Sequence, residues 1–137
     1  MNSDRILAAL GALACLALLG VAAWLHADPH GHGTHEQLGM PACGWVLAFN
    51  KPCPTCGMTT AFAHASDGHL LAAARAQPAG AIFALGVAAA FWTLLHAAVF
   101  GSRISRVFRP LWTTRWISVA GVGVLLAWVY KLATWPS

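Results

Sequence analysis

Three long apolar stretches constrain the fold of this chain more than any other feature of its sequence. They are Ile6–Leu25, Ala79–Phe100 and Trp116–Trp135, and Lys131 is the one charged residue inside them. The hydrocarbon core of a bilayer is about 30 Å thick, so a helix needs about 20 residues to cross it. We therefore expect an all-α polytopic membrane protein, one membrane domain over 1–137, with spans at about 6–25, 79–100 and 116–135. Lys131 can extend its ammonium group outward to the interface.

Composition supports the membrane class. The chain is 58% hydrophobic and 9% charged, whereas soluble domains have roughly 45–50% and about 25%. Strong hydrophobicity also excludes the intrinsically disordered class. The sequence contains no nucleotide-binding loop, no HExxH, no GxSxG and no paired catalytic carboxylates, so these signatures give no support to an enzyme.

The basic residues indicate the orientation in the membrane. The connection 101–115 holds four arginines and no acid: Arg103, Arg106, Arg109 and Arg115. Connections rich in Lys and Arg stay cytoplasmic, so we expect a cytoplasmic N-terminus and an extracytoplasmic segment 26–78. This reading makes the arginines an orientation signal rather than a nucleic-acid site. Leu25-His26-Ala27 is a poor cleavage site, so we expect the first span to remain as an anchor.

The chemically distinctive residues lie in segment 26–78, which we call the cap. Asp28–Gly39 is rich in Gly and His and is predicted to be a flexible loop. The apolar run within Pro41–Asn50 is too short to span and is expected at the interface or against the protein. Two short helices, broken near Asp67-Gly68, should follow, and Pro78 should open the second span.

A CxxC motif, Cys53 to Cys56, begins the third part of the cap. Because Pro54 suits the first position of a helix, the pattern predicts Cys53 as the N-cap and Cys56 in the first turn. A helix N-terminus stabilises a thiolate and lowers its pKa. Such a pair can act as attacking and resolving thiols, form a disulfide or bind a metal. The spacing alone leaves these alternatives open.

Further candidate ligands surround this motif. Cys43 precedes it and His69 follows the Gly68 turn, so Cys43, Cys53, Cys56 and His69 would satisfy a tetrahedral zinc ion by ligand type. A glycine-separated histidine tract could bind zinc or copper more weakly. The candidate ligands in that tract are His30, His32 and His35.

The motif also resembles a known family. The residues that carry the likeness are Pro52-Cys53-Pro54-Thr55-Cys56-Gly57-Met58-Thr59, then Gly68-His69, Ala73 and Gln77-Pro78, with Cys43 upstream. This pattern, over roughly residues 43–100, is similar to the small bacterial membrane proteins catalogued as domain of unknown function 2752. Members commonly carry Thr-Arg at Thr59-Thr60 and Asn-Pro at Gln77-Pro78. The resemblance implies an extracytoplasmic or interfacial Cys motif leading into membrane helices, and it implies no particular activity.

Three functions are therefore open for a small protein of the bacterial inner membrane. We expect a structural or interaction role for the cap, with Cys53 and Cys56 bridged outside the membrane. The first alternative is membrane thiol-disulfide exchange, with Cys53 as nucleophile and Cys56 as resolving thiol. The second is a metal-binding accessory role with zinc or copper as cofactor. The expected partners are the lipid bilayer and a second copy or another membrane protein, with no nucleic acid.

Overall fold

The structure, a computed structural model, describes residues 3–101 and 113–135. Across these residues it is helical and contains no strand. Six α-helices occur there in chain order: α1 Ser3–Trp24, α2 Gly44–Phe49, α3 Met58–Ser66, α4 Leu70–Ala76, α5 Pro78–Phe100 and α6 Thr114–Ala133. A 3-10 helix, Thr34–Leu38, precedes α2. Three of the helices, α1, α5 and α6, are long and apolar enough to cross a membrane, which confirms the predicted fold class.

The two spans α1 and α5 pack against each other. Gly11 makes their close approach possible, because a Cβ built there would lie 3.0 Å from Cδ1 of Leu94. At one end of the pair the Arg5 side chain donates hydrogen bonds to the carbonyl oxygens of Ala98 and Val99. The last carbonyls of a helix lack partners within the helix, so a cation is favourable there. The start of α1 and the end of α5 therefore share one end of the molecule.

The cap lies at the opposite end, where α5 begins. Its two predicted short helices are α3 and α4, broken at Asp67 and Gly68, and Pro78 opens α5 as expected. A small-residue core joins these helices and comprises Ala61, Ala73, Ala76 and Ala81. Gly80 keeps α3 and α5 close, because a Cβ there would lie 2.9 Å from the Cβ of Ala61.

The segment Asp28–Gly39 was predicted to be a flexible loop, and the structure corrects this prediction in part. It contains the 3-10 helix, and the Thr34 side chain is fully buried against α3. The Thr34 and Thr60 hydroxyl groups are hydrogen bonded at 2.8 Å, and the Asp28 amide donates to the Thr34 hydroxyl oxygen at 3.0 Å. Pairing of buried hydroxyls avoids the cost of desolvating them alone, so these contacts hold the segment on the cap.

The end of α6 also contacts the cap, and it corrects a second prediction. Lys131 does not extend outward, since it is only 5% exposed and lies beneath the cap. Its Nζ donates hydrogen bonds to the carbonyl oxygens of Gly31 and Ala76, each at 2.9 Å. Of the arginines used to predict orientation, Arg115 lies in the first turn of α6, and the other three lie outside the described residues.

Candidate functional site

Three cysteine thiols of the cap converge on one place. Cys43 is the N-cap of α2, and Cys53 and Cys56 come from the turn before α3. Their Sγ atoms all lie within 4.8 Å of one another, and all three thiols are free. Cys56 is buried and the other two are half-buried. We call these residues the three-cysteine cluster.

The turn that carries Cys53 and Cys56 differs from the predicted helix start. The Cys56 amide donates to the carbonyl oxygen of Cys53 at 3.0 Å, and the Met58 amide donates to that of Thr55 at 3.1 Å. Gly57 then takes a left-handed conformation, with φ of 87°, and α3 begins only at Met58. The prediction that Cys53 is the N-cap of this helix is therefore wrong. The CxxC motif forms two consecutive turns that end at a glycine.

Two side chains hold the backbone of this turn from outside. The Trp128 indole N–H of α6 donates to the carbonyl oxygen of Pro52 at 2.9 Å. The Gln77 amide donates from Nε2 to the carbonyl oxygen of Pro54 at 3.0 Å. Gln77 is fully buried, and its Oε1 has no hydrogen-bond partner among the described residues. The turn is thus held by the N-cap residue of α5 and by a residue in the second half of α6.

The pKa values of the two cysteines in the turn are shifted in opposite directions. Burial alone would raise the pKa of Cys53, but hydrogen bonds from the Thr55 side chain and amide, together with the Cys43 and Cys56 thiols, lower it overall. The Thr55 hydroxyl oxygen lies 3.3 Å from the Cys53 Sγ. Burial raises the pKa of Cys56 to about 12, and a negative charge on Cys53 would add to the rise. Cys53 is therefore the more acidic thiol of the pair.

A pocket opens beside the cluster, with a cavity volume of about 300 Å³. Its lining residues include the three clustered cysteines together with His35, Met40 and Met58. Sulfur and imidazole groups are ligands that zinc and copper prefer. The pocket therefore offers further donor atoms next to the cluster.

The other predicted histidine ligands lie away from the cluster. His69 caps α4 and faces His64, with ring centroids 6.4 Å apart, and lies outside the pocket lining. His30 pairs with Asp28 at 2.9 Å and is largely exposed. The His32 ring stacks on Trp135 at 4.4 Å, and burial together with the Lys131 charge lowers its pKa. Of the candidate ligands in the tract, only His35 lies beside the cysteines.

Sequence reasoning missed the residues that support the cluster, namely Gln77, Trp128 and Lys131. Gln77 was expected only at the start of the second span, Lys131 was expected to extend to the interface, and Trp128 was given no role. Lys131 carried a usable signal, because a charged residue within a span is usually partnered and functional. Gln77 was part of the family motif but was not connected with the cysteines, and Trp128 carried no signal that local patterns could detect.

Residues 43–95 match the family described as Protein of unknown function (DUF2752). This finding confirms the resemblance predicted from the sequence. No similar curated protein and no similar solved structure was found. The DUF2752 match contains all three clustered cysteines and Gln77, whereas the histidine tract, Trp128 and Lys131 lie outside it.

Proposed function

We propose that the cap of this membrane protein binds a transition-metal ion through Cys43, Cys53 and Cys56. The observation that supports the proposal is the approach of three free thiols to within 4.8 Å of one another. Zinc holds thiolate sulfurs at about 2.3 Å, so tetrahedral ligands of one ion lie about 3.8 Å apart. The separations of the three sulfurs, at most 4.8 Å, are close to that spacing.

The third thiol is the reason to prefer a metal to a structural disulfide. A bridge between Cys53 and Cys56 would use two sulfurs and would leave Cys43 without a role beside them. A zinc or copper ion uses all three, and His35 from the pocket could complete a fourth position. The metal-binding alternative therefore accounts for more of the geometry than the structural role does.

Thiol-disulfide exchange is the second candidate, and the acidity of the thiols favours it. Cys53 has a lowered pKa and is half-buried, whereas Cys56 is buried with a raised pKa. An attacking thiol needs thiolate character and access. In this case Cys53 would attack a partner disulfide, and Cys56 would resolve the mixed disulfide.

We place the cap outside the cytoplasm, in the bacterial inner membrane, with the N-terminus and the connection 101–115 in the cytoplasm. The arginines of that connection support this orientation. Arg5 lies at the same end of the molecule as the start of that connection, because it bonds the final carbonyls of α5. A reporter enzyme fused after residue 137 tests the assignment, since this terminus should lie outside.

The metal proposal is tested on untagged protein purified in detergent under thiol-reducing, oxygen-free conditions and then loaded with zinc. Elemental analysis should give close to one equivalent per chain. Each of the three single replacements, Cys43→Ser, Cys53→Ser and Cys56→Ser, should abolish high-affinity zinc binding. Cys15→Ser is the matched control, because Cys15 lies within α1 and outside the cluster. A variant with His30 and His32 replaced by Ala shows whether the tract contributes.

The alternatives give different results in the same preparations. If wild type binds no zinc above background and Cys53 and Cys56 are bridged, the metal proposal is wrong. Each bridge lowers the intact mass by about 2 Da. A bridge that yields readily to mild reductant would favour thiol exchange instead, provided that the wild-type protein exchanges with a test disulfide and the Cys53→Ser variant does not.

A further inference from the structure

A buried ammonium group lies beneath the cap. Lys131 is 5% exposed, and its Nζ donates to two neutral acceptors, the carbonyl oxygens of Gly31 and Ala76. The Trp135 ring lies 5.8 Å from Nζ and adds a weak cation–π contact. Carbonyls and a ring solvate a cation partly, but they carry no net charge to compensate it.

No carboxylate compensates this charge among the described residues. The chain has four acidic side chains, and all lie in the described ranges: Asp4, Asp28, Glu36 and Asp67. Within 3–101 and 113–135 the ion pair that forms joins Asp28 to His30, and none joins a carboxylate to Lys131. A buried charge without an opposite charge is costly. A different group should therefore compensate Lys131 in the working state of the protein.

The three-cysteine cluster offers such a charge, because a thiolate is negative and Gly57, beside Cys56, lies against the ammonium. Nζ of Lys131 lies 3.2 Å from the position that a Cβ on Gly57 would occupy, and Gly57 follows Cys56 directly. The ammonium therefore lies next to the backbone that carries the buried cysteine.

We propose that Lys131 is the counter-charge of the metal-loaded three-cysteine cluster, and that the cluster consequently takes a divalent, thiol-preferring ion of the zinc class. This inference rests on the proposed metal-binding function. Three thiolates around a divalent ion leave one negative charge, which one lysine neutralises; around a monovalent ion they leave two.

Loading requires no oxidant. Three metal–sulfur bonds form, three S–H bonds break, and the three protons pass to solvent or buffer. Lys131 keeps its proton throughout and contacts no metal, so it is a positioning residue that acts on the sulfurs through its charge. Its hydrogen bonds to Gly31 and Ala76 hold it in place beside the cluster.

The test separates the charge of Lys131 from its hydrogen bonds. Lys131→Gln keeps N–H donors but removes the charge, Lys131→Met removes both, and Lys131→Arg keeps the charge. Glu36→Gln is the control, because it removes an exposed carboxylate from the cap. Zinc affinity is measured on the full untagged chain in detergent by competition with a chromophoric chelator, and folding of each metal-free variant is checked by circular dichroism.

We expect Lys131→Gln and Lys131→Met to bind zinc about 10- to 100-fold more weakly, as is typical when an outer partner of a metal site is lost. Lys131→Arg and Glu36→Gln should stay within about threefold of wild type, well short of that loss. With cobalt in place of zinc, the thiolate-to-metal charge-transfer band should move to longer wavelength in the two uncharged variants. The reason is that a nearby cation lowers the energy of the sulfur lone pairs.

Two results would overturn the inference while leaving the proposed function intact. One is wild-type zinc affinity and an unshifted cobalt band in the folded Gln or Met variant. The other is an equal loss of affinity in the Arg variant, which would make the role one of shape rather than charge. If wild type itself binds no zinc, the proposed function fails instead, so the two failures are distinguishable.

Discussion

Trp128, in the third span, donates its indole N–H to the carbonyl oxygen of Pro52 at 2.9 Å, one residue before Cys53. Pro52 is fully buried, so its carbonyl has little access to water. The bond connects α6 directly to the cysteine turn. Contacts from the membrane-spanning helices thus help to hold the cysteine turn in position.

Loss of this bond should weaken both the fold and the cluster. In Trp128→Phe the Pro52 carbonyl stays buried without a donor, which typically costs about 1–3 kcal/mol. We expect a matching drop in the free energy of unfolding, measured by denaturant titration in detergent, together with weaker metal binding. Trp92→Phe is the control, because Trp92 is 68% exposed on α5. Equal stability of the two variants would contradict the assigned role of Trp128.

Gly57 should be irreplaceable for a different reason. Its φ is 87°, and a Cβ there would lie 2.7 Å from the Gly31 carbonyl oxygen and 2.9 Å from that of Ala76. These atoms belong to the backbone and cannot move aside singly. We expect Gly57→Ala to destabilise the protein by more than about 2 kcal/mol, from strain plus steric overlap.

Gly39 provides the matched control for Gly57. Its φ is also left-handed, at 77°, but a Cβ there would meet nothing within 4 Å. Gly39→Ala should therefore show the conformational strain alone, about 1–2 kcal/mol. Thermal unfolding of both variants in the same detergent checks the difference, and similar losses would mean that the crowding around Gly57 is unimportant.

Local sequence patterns could predict part of the fold and part of the candidate site. The three spans, the break at Asp67-Gly68 and the start of α5 at Pro78 follow from hydropathy and from helix-boundary residues, which act over a few neighbours. The grouping of Cys43 with the CxxC motif was also among the expected ligand sets. Such features need no knowledge of distant contacts.

The remaining features depend on contacts between distant segments. Pro54 favours a helix start, but the left-handed Gly57 ends the turns and delays the helix to Met58. Lys131 was expected at the interface because long side chains usually extend there, yet the cap places two carbonyls above it. Local sequence rules predicted what each segment favours by itself. Contacts between distant segments then determined the conformation that is observed.

The two turn cysteines should differ in reactivity. Hydrogen bonds lower the pKa of Cys53, whereas burial raises the pKa of Cys56 to about 12. Limited alkylation of the reduced, metal-free protein near pH 8 should therefore label Cys53 first and Cys56 last, because the thiolate is the nucleophile. Peptide mass spectrometry identifies the labelled sites.

The pH dependence of the alkylation rate shows whether the pKa of each cysteine is raised or lowered by folding. The Cys53 rate should reach half its maximum at a lower pH than in the denatured protein, and the Cys56 rate at a higher pH. Denatured protein serves as the reference, since the two thiols become nearly equivalent when the cap unfolds. Faster labelling of Cys56 than of Cys53 in the folded protein would contradict the assignment.

Helix α2 should lie in the membrane interface on the side of the cap. Trp45, Leu47 and Phe49 are 45%, 73% and 66% exposed, and the helix leads directly to the Pro52 carbonyl held by Trp128. An apolar helix that is too short to span is stabilised by insertion among the lipid headgroups. Insertion would place Cys43, the N-cap of α2, at the membrane surface.

Fluorescence quenching by brominated lipids tests this position in reconstituted vesicles. The bromine is placed either high on the acyl chain, near the headgroups, or near the bilayer centre. Trp45→Phe should remove mainly the component quenched by the shallow bromines, because an interfacial indole lies near the headgroups. If the variant loses only emission that neither lipid quenches, α2 projects into water. The exposed apolar face would then have to meet a protein partner, and metal could reach the cluster without passing the lipid surface.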